Sequence, residues 1–327
     1  ENTSLKQESI HHQRSITQLQ QDNTSLQQEN TRLTQNHQQE IARLQQEARQ
    51  LQSRLDQQPK LGSDTDISFW VVSHNEVRPT GQVLGEGGWG RVVVGSFRGQ
   101  DVAMKQLHSI ISSSDYYRDL LRREISLMAK VRHPNLLLFM AAVLDSPSNT
   151  PIIITELMDT NLRQAYHNAQ LTNNGVKLSI LRDVSAALNY LHLQPNPIIH
   201  RDVSSANVLL LALPNNKWRG KLSDFGSANL VQHASTPGPG AAMYTAPEVF
   251  KGEQQTTKMD VFSFGKLLCE VLSNRLPDPG AFPSMLQSMA KDWPLMHQLI
   301  SSCVQQDPNK RPAMSYIVDQ LNHFTKQ

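Results

Sequence analysis

The chain has 327 residues and a net charge of +2 from 31 basic and 29 acidic side chains. At roughly 150 residues per domain this is about two domains or one large bilobed body. A balance so near zero excludes a protein built around nucleic-acid phosphates or an anionic membrane surface. Two cysteines, Cys269 and Cys303, are too few for a disulfide framework, so they read as reduced core thiols of a cytoplasmic protein. No apolar run reaches the roughly 18 residues needed to span a bilayer, and no secretory or lipidation signal is visible. The chain opens on Glu1 with a repeat already running, which suggests a piece of a longer protein.

Residues 1–58 are rich in Gln, Asn, Glu and Arg and hold no aromatic residue, Pro or Gly. Leu5, Leu19, Leu26 and Leu33 share a seven-residue register whose gap is filled by His12. With that register as d, the a positions are Ile16, Asn23, Asn30 and His37. Apolar a and d positions define a coiled-coil seam, and Asn at a favours two strands at a cost in stability. Ile41, Leu44, Ala48, Leu51 and Leu55 continue the 3-4 spacing in a new frame after a four-residue stutter. A helix of this length would reach about 85 Å, and two copies of it would make the chain a homodimer. The other reading is a lone Gln-rich helix, partly disordered. Pro59-Lys60-Leu61-Gly62-Ser63-Asp64 ends it and opens a linker assigned to residues 59–76. An ordinary globular composition follows, and residues 77–325 are assigned to one domain.

Leu84-Gly85-Glu86-Gly87-Gly88-Trp89-Gly90 carries a G-x-G-x-x-G at Gly85, Gly87 and Gly90. In a dinucleotide-binding fold a helix would follow. Here Val92-Val93-Val94-Gly95-Ser96-Phe97 is strand-like, and Asp101-Val102-Ala103-Met104-Lys105 is a second strand after a short turn. The glycines therefore sit in a hairpin, where bare backbone N–H groups can approach phosphates. Lys105 ends an apolar strand, and a buried Lys needs a partner. Leu120, Leu121, Ile125 and Met128 form a helical stripe with Glu124 on the same face, which makes Glu124 the expected partner of Lys105.

Ile198-Ile199-His200-Arg201-Asp202-Val203-Ser204-Ser205-Ala206-Asn207-Val208 sets polar residues between apolar runs. Ser223-Asp224-Phe225-Gly226 and Ala246-Pro247-Glu248 come later. The order of glycine loop, Lys, Glu, His-Arg-Asp, Asp-Phe-Gly and Ala-Pro-Glu resembles a eukaryotic protein kinase catalytic domain. That resemblance implies an α+β bilobed fold with a small β-rich lobe and a larger helical lobe. It implies ATP and Mg²⁺ as cofactors and protein hydroxyls as substrates. Lys105 would hold the α- and β-phosphates and be aligned by Glu124. Asp202 would orient the acceptor and take its proton, and Asn207 and Asp224 would bind Mg²⁺. Leu84, Gly85, Gly87 and Gly90 would cover the nucleotide, Val92, Ala103 and Leu209 would sandwich the adenine, and Thr155, Glu156 and Met158 would form the hinge. Met128, Phe139, His200 and Phe225 would stack into a spine anchored on the helix that begins Lys258-Met259-Asp260.

Two positions depart from the serine/threonine pattern. Ser204 stands where a Lys is usual, and Ala241 where a Thr is usual. Arg132-His133-Pro134-Asn135 and the run from Asp260 to Gly265 resemble the tyrosine-kinase and tyrosine-kinase-like branches. Ser/Thr is the favoured acceptor and Tyr stays open. The alternative function is a catalytically weak scaffold that keeps ATP as a structural ligand.

Overall fold

The computed structural model describes residues 67–87, 90–108, 115–148, 150–224 and 242–324. The heptad segment, most of the Asp224–Glu248 loop with Phe225, Ser235, Thr236 and Ala241, and the glycine-loop tip at Gly88 and Trp89 lie outside the described residues. Residues 65–327 form one compact unit.

Strands β1 (Val77–Gly87), β2 (Gly90–Phe97), β3 (Gln100–Leu107), β4 (Phe139–Val143) and β5 (Ile152–Glu156) form an antiparallel sheet in the order β1-β2-β3-β5-β4. Their period-two alternation splits the side chains between two faces. Val93, Val102, Met104, Ile152 and Ile154 pack into a small core on one face, which turns Ala103 and Lys105 to the other. Gly90 has φ +147°, and a Cβ there would lie 2.0 Å from the Gln106 oxygen, so only glycine lets β2 meet β3.

Helix α1 (Asp115–Lys130) buries Leu121, Ile125 and Met128, and with them Glu124, which is 1% exposed. The side chain of Leu120, the first member of the expected stripe, lies outside the description.

The second lobe holds the short sheet β6 (Thr160–Asn161), β7 (Val208–Leu213) and β8 (Lys217–Leu222). Around it are α2 (Leu162–His167), α3 (Asn174–His192), α4 (Pro247–Phe250), α5 (Lys258–Ser273), α6 (Phe282–Asp292), α7 (Pro294–Cys303) and α8 (Met314–Phe324). Asn161 and Asn173 cap α2 and α3 by accepting backbone N–H bonds. Helix α5 is buried from Met259 to Val271, as expected of a helix at the centre of a lobe. One continuous apolar core runs from Met128 and Phe139 in the first lobe to Leu188, Val261 and Phe264 in the second. Among the described residues no helix is long and apolar enough to cross a membrane.

The expected linker 59–76 differs from the structure over its described part. Val71 bridges to Ala142 beside β4, the Val72 N–H donates to the Ala142 carbonyl at 2.9 Å, and the His74 N–H donates to Asp145 at 3.1 Å. Residues 67–76 thus cover the edge of the sheet, and a Ser73–Glu76 capping box fixes their second turn. Composition marked a boundary but could not show that Ile67, Trp70 and Val72 have apolar surface to pack on.

Candidate active site

A cavity of about 320 Å³ opens between the sheet and the helical lobe. Leu84, Gly85, Val92, Ala103 and Lys105 line it from β1–β3, Glu124 from α1, and Asn207, Leu209 and Asp224 from below. Thr155, Glu156 and Met158 close its back. Val92 and Ala103 against Leu209 form an apolar slot of the kind that holds a flat ring. The Met158 amide and carbonyl have no hydrogen-bond partner among the described residues, so they remain for a ligand edge. A Cβ on Gly85 would meet nothing within 4 Å. The fold does not require glycine there, which leaves the open space to whatever enters the cavity. Gly90 and Asp202 do not line the cavity, and the side-chain space at Gly87 lies outside the description. Asp159, Thr160, Asn161 and Gln164 line it too; sequence reasoning did not single them out, and their only signal is that they follow the hinge.

Lys105 Nζ lies 2.5 Å from Asp224 Oδ1. The pairing expected from sequence was with Glu124, which lines the same cavity; among the described residues Lys105 forms its ion pair with Asp224. Burial pushes the Asp224 carboxyl up, but the charge and hydrogen bond of Lys105, aided by His200, outweigh it and hold the group below the usual carboxylate range.

The loop carrying Asp202 is fixed from beneath. Asp260 on α5 accepts the N–H groups of His200 and Arg201, each at 2.8 Å, and contacts His192 Nε2 at 2.8 Å. Arg201 has φ +69°, a left-handed conformation costly for a side chain of this size, and the two bonds to Asp260 offset that cost. The fully buried His200 contacts the Ser223 carbonyl through Nε2 at 2.8 Å and accepts the Asp202 N–H on Nδ1 at 3.3 Å, an arrangement that fits the Nε2–H tautomer. Asn207 Nδ2 donates to the Asp202 carbonyl at 2.9 Å, which leaves its amide oxygen free to face the cavity. The Ser223 N–H and hydroxyl both donate to the Asn207 carbonyl at 2.9 Å. Asp202, Asn207 and Asp224 are therefore joined by a short chain of bonds.

A second anchor lies below. Glu270 on α5 receives Ser205 Oγ and Tyr244 OH at 2.5 Å and Tyr166 OH at 2.6 Å. Arg163 donates to Ser205 at 3.0 Å and to Tyr244 at 3.1 Å. Burial first, then the Glu270 charge, pushes both tyrosines above their ordinary range, so they stay hydroxyl donors. Glu248 forms a buried pair with Arg311 at 2.6 and 2.8 Å. Sequence reasoning missed the Glu270 network. Its signal was a carboxylate in an otherwise apolar run of α5.

The oxygens of Asn207 and Asp224 suit a hard divalent cation that completes its shell with phosphate and water. Among the described residues no cluster of three acidic, His or Cys side chains forms a closed metal cage.

Residues 79–321 match the family described as protein kinase domain. A probable serine/threonine-protein kinase of Dictyostelium discoideum is 32% identical over 82% of this chain and 29% of its own length. The dual specificity protein kinase splA of the same organism is 29% identical over 80% of this chain and 12% of its own. The serine/threonine-protein kinase CTR1 of Arabidopsis thaliana is 30% identical over 81% of this chain and 33% of its own. The chain spans no more than about a third of the length of these curated relatives.

Proposed function

The chain belongs to the protein kinase family, and from that premise we propose that it transfers the γ-phosphoryl group of ATP to protein hydroxyls, with Ser and Thr as the acceptors. The observation that carries this reading is the grouping of Lys105, Asp224 and Asn207 in one cavity beside an apolar slot, with Asp202 bonded to Asn207 at its edge. Phosphoryl transfer needs in-line positioning and cations against spreading charge more than covalent help.

In this mechanism Val92, Ala103 and Leu209 hold the adenine, and the free amide and carbonyl of Met158 read its edge. Lys105 shares its ammonium between Asp224 and the phosphate oxygens, and Glu124 is the further carboxylate in reach of the same cavity. Asp224 and Asn207 would hold the divalent ion, read as Mg²⁺, which neutralises phosphate charge when bound. Asp202 orients the acceptor hydroxyl and takes its proton.

We extend the proposal to residues 1–58 as a dimeric coiled coil, on the support of their heptad seam, and to a cytoplasmic setting. Burial raises the thiols of Cys269 and Cys303 to about 11 and about 12, so both stay protonated and unreactive.

Asp202→Asn tests the chemistry. It should lower single-turnover transfer by about 10²–10⁴-fold while nucleotide affinity stays within about threefold of the parent, since Asp202 does not line the cavity. Transfer at the parent rate refutes the role. Phosphosite mapping after incubation with Mg-ATP and peptide pools tests the acceptor, and a Tyr-only product overturns the Ser/Thr assignment. The second reading, an ATP-binding scaffold, is favoured by Ser204, which is buried where the family usually carries a Lys. A blank product map from a nucleotide-binding parent supports it.

A further inference from the structure

We propose that Trp70 is a positioning residue for phosphoryl transfer: it braces the C-terminal end of α1 and Phe139, and so holds Glu124 at the cavity. This rests on the kinase reading above.

Trp70 closes the turn Ser68–Trp70, and its position is fixed by the pairing of Val71 beside Ala142 and the bond of the Val72 N–H to the Ala142 carbonyl. The ring centroid is 5.8 Å from that of Phe139, at 47° between planes, a tilted aromatic contact. The Arg132 guanidinium lies 4.9 Å from the Trp70 centroid on its face. The same guanidinium donates through Nη1 to the carbonyls of Met128 at 2.9 Å and Val131 at 2.8 Å. These are carbonyls at the end of α1 that have no partner within the helix, and a cation there also suits the helix dipole. Trp70 therefore holds the side chain that closes the helix end. The Arg132 N–H donates to Tyr190 OH on α3 at 3.1 Å, so the junction is tied to the helical lobe as well.

The consequence reaches the cavity in one helical turn. Met128 and Phe139 line the cavity, and Glu124 lies four residues before Met128 on the same face. With Trp70 removed, Phe139 loses an aromatic neighbour and Arg132 loses its platform, and the end of α1 is free to tilt. A tilt there moves Glu124 before it moves the hinge. The effect should thus fall on turnover, not on nucleotide capture. The adjacent Phe69 provides a control, since it is 86% exposed and makes no such contact among the described residues.

The test uses the whole chain. Trp70→Ala, Trp70→Phe and Phe69→Ala are prepared alone and combined with Glu124→Gln, and assayed well below the lowest melting temperature. Trp70→Ala should lower kcat about tenfold, the order expected from losing one aromatic and one cation–π contact, with KM for ATP within about twofold. Trp70→Phe should recover most of kcat, and Phe69→Ala should match the parent. In the Glu124→Gln background Trp70→Ala should add less than about twofold, because both changes disable the same step. A purely stabilising role would lower the melting temperature and leave kcat of the folded protein intact; that result overturns the proposal, as does full additivity with Glu124→Gln. Hydrogen exchange of residues 121–131 supplies a readout that needs no turnover. Trp70→Ala should speed exchange there and Phe69→Ala should not. Unchanged exchange in Trp70→Ala removes the brace even if the parent proves inert, whereas an inert parent with the expected exchange change refutes the kinase reading alone.

Discussion

Lys266 shows at the residue scale how one side chain can cost stability inside a well-packed helix. It is 8% exposed, and its ammonium sits 3.5 Å from the Phe282 ring centroid and 5.8 Å from that of Phe262. Burial lowers its pKa to about 8, against the upward pull of the Asp278 carboxylate. The Cys269 thiol is itself held near 11, so it brings no charge across this range. The unfolded chain keeps an ordinary lysine and therefore binds more protons than the folded one between pH 8 and about 10.5. Stability should rise with pH through that window, and below it the cost is present in full. Lys266→Met should stabilise the protein by about 1–3 kcal/mol at pH 7 and remove this rise. Urea unfolding of both proteins at pH 7 and pH 10 measures it, and parallel pH profiles would show that the lysine is not the cause. The buried Glu248–Arg311 pair is the opposite case, since burial there is matched by a two-bond partner that holds the Glu248 carboxyl below its usual range.

Helix α5 is the element on which the site stands. Its buried carboxylates do specific work: Asp260 holds the His200–Arg201 backbone, and Glu270 gathers Ser205, Tyr244 and Tyr166. Its approach to α7 is equally demanding, because a Cβ on Gly265 would lie 2.6 Å from the Cys303 Cβ. A rigid buried helix gives the catalytic loop a fixed reference that an exposed helix could not. Asp260→Asn replaces an acceptor by an amide that can accept only one of the two N–H bonds. One buried donor is left without a partner at a cost of about 1–3 kcal/mol, and Arg201 loses part of what holds its left-handed backbone. Thermal unfolding should show the loss of stability, and kcat at low temperature should fall by more than tenfold. A destabilised variant with parental kcat would show that Asp260 supports the fold but not the geometry of Asp202.

At the scale of the whole molecule, the lobes meet through polar struts as well as core. Lys221 on β8 bonds both carboxylate oxygens of Glu156, at 2.7 and 3.0 Å, and Glu156 also accepts the Leu138 N–H at 2.7 Å. This links the hinge to the strand that delivers Asp224. The proposed coiled coil would act on a larger scale. Two catalytic domains on short tethers share an effective concentration near the millimolar range. Ser235 and Thr236 are the hydroxyls in the polar middle of the loop from Asp224 to Glu248, and a phosphate on either carries about −1.5 to −2 charge that Arg201 could meet. The dephosphorylated full chain at nanomolar concentration should modify Ser235 or Thr236 with a half-time independent of protein concentration. A chain starting at Pro59 should slow on dilution. Equal rates and equal monomeric mass for the two would sink both the dimer and its proposed use.

The order of the motifs in the sequence by itself resembled one family, and that resemblance implied the two-lobed architecture and most of the residues found lining the cavity. The reason is that each motif combines a local backbone requirement with a chemical group. Glycines in a hairpin, Lys105 at the end of an apolar strand, and Asp202 with Asn207 between apolar runs are legible without coordinates. Periodicity also placed Glu124 on the buried face of α1, as found. Periodicity records which face is buried, but not which partner waits across the gap. More than one carboxylate lines the cavity with Lys105, and only the packing of the lobes set its ammonium against Asp224. The same limit hid the docking of Trp70, whose partners Phe139 and Arg132 lie far along the chain. It hid the Glu270 network too, where hydroxyls from α2, the catalytic loop and the segment before α4 converge. Hydroxyls and aromatic rings carry no sequence period of their own. Their roles came only from the tertiary structure, which brings distant segments within bonding distance.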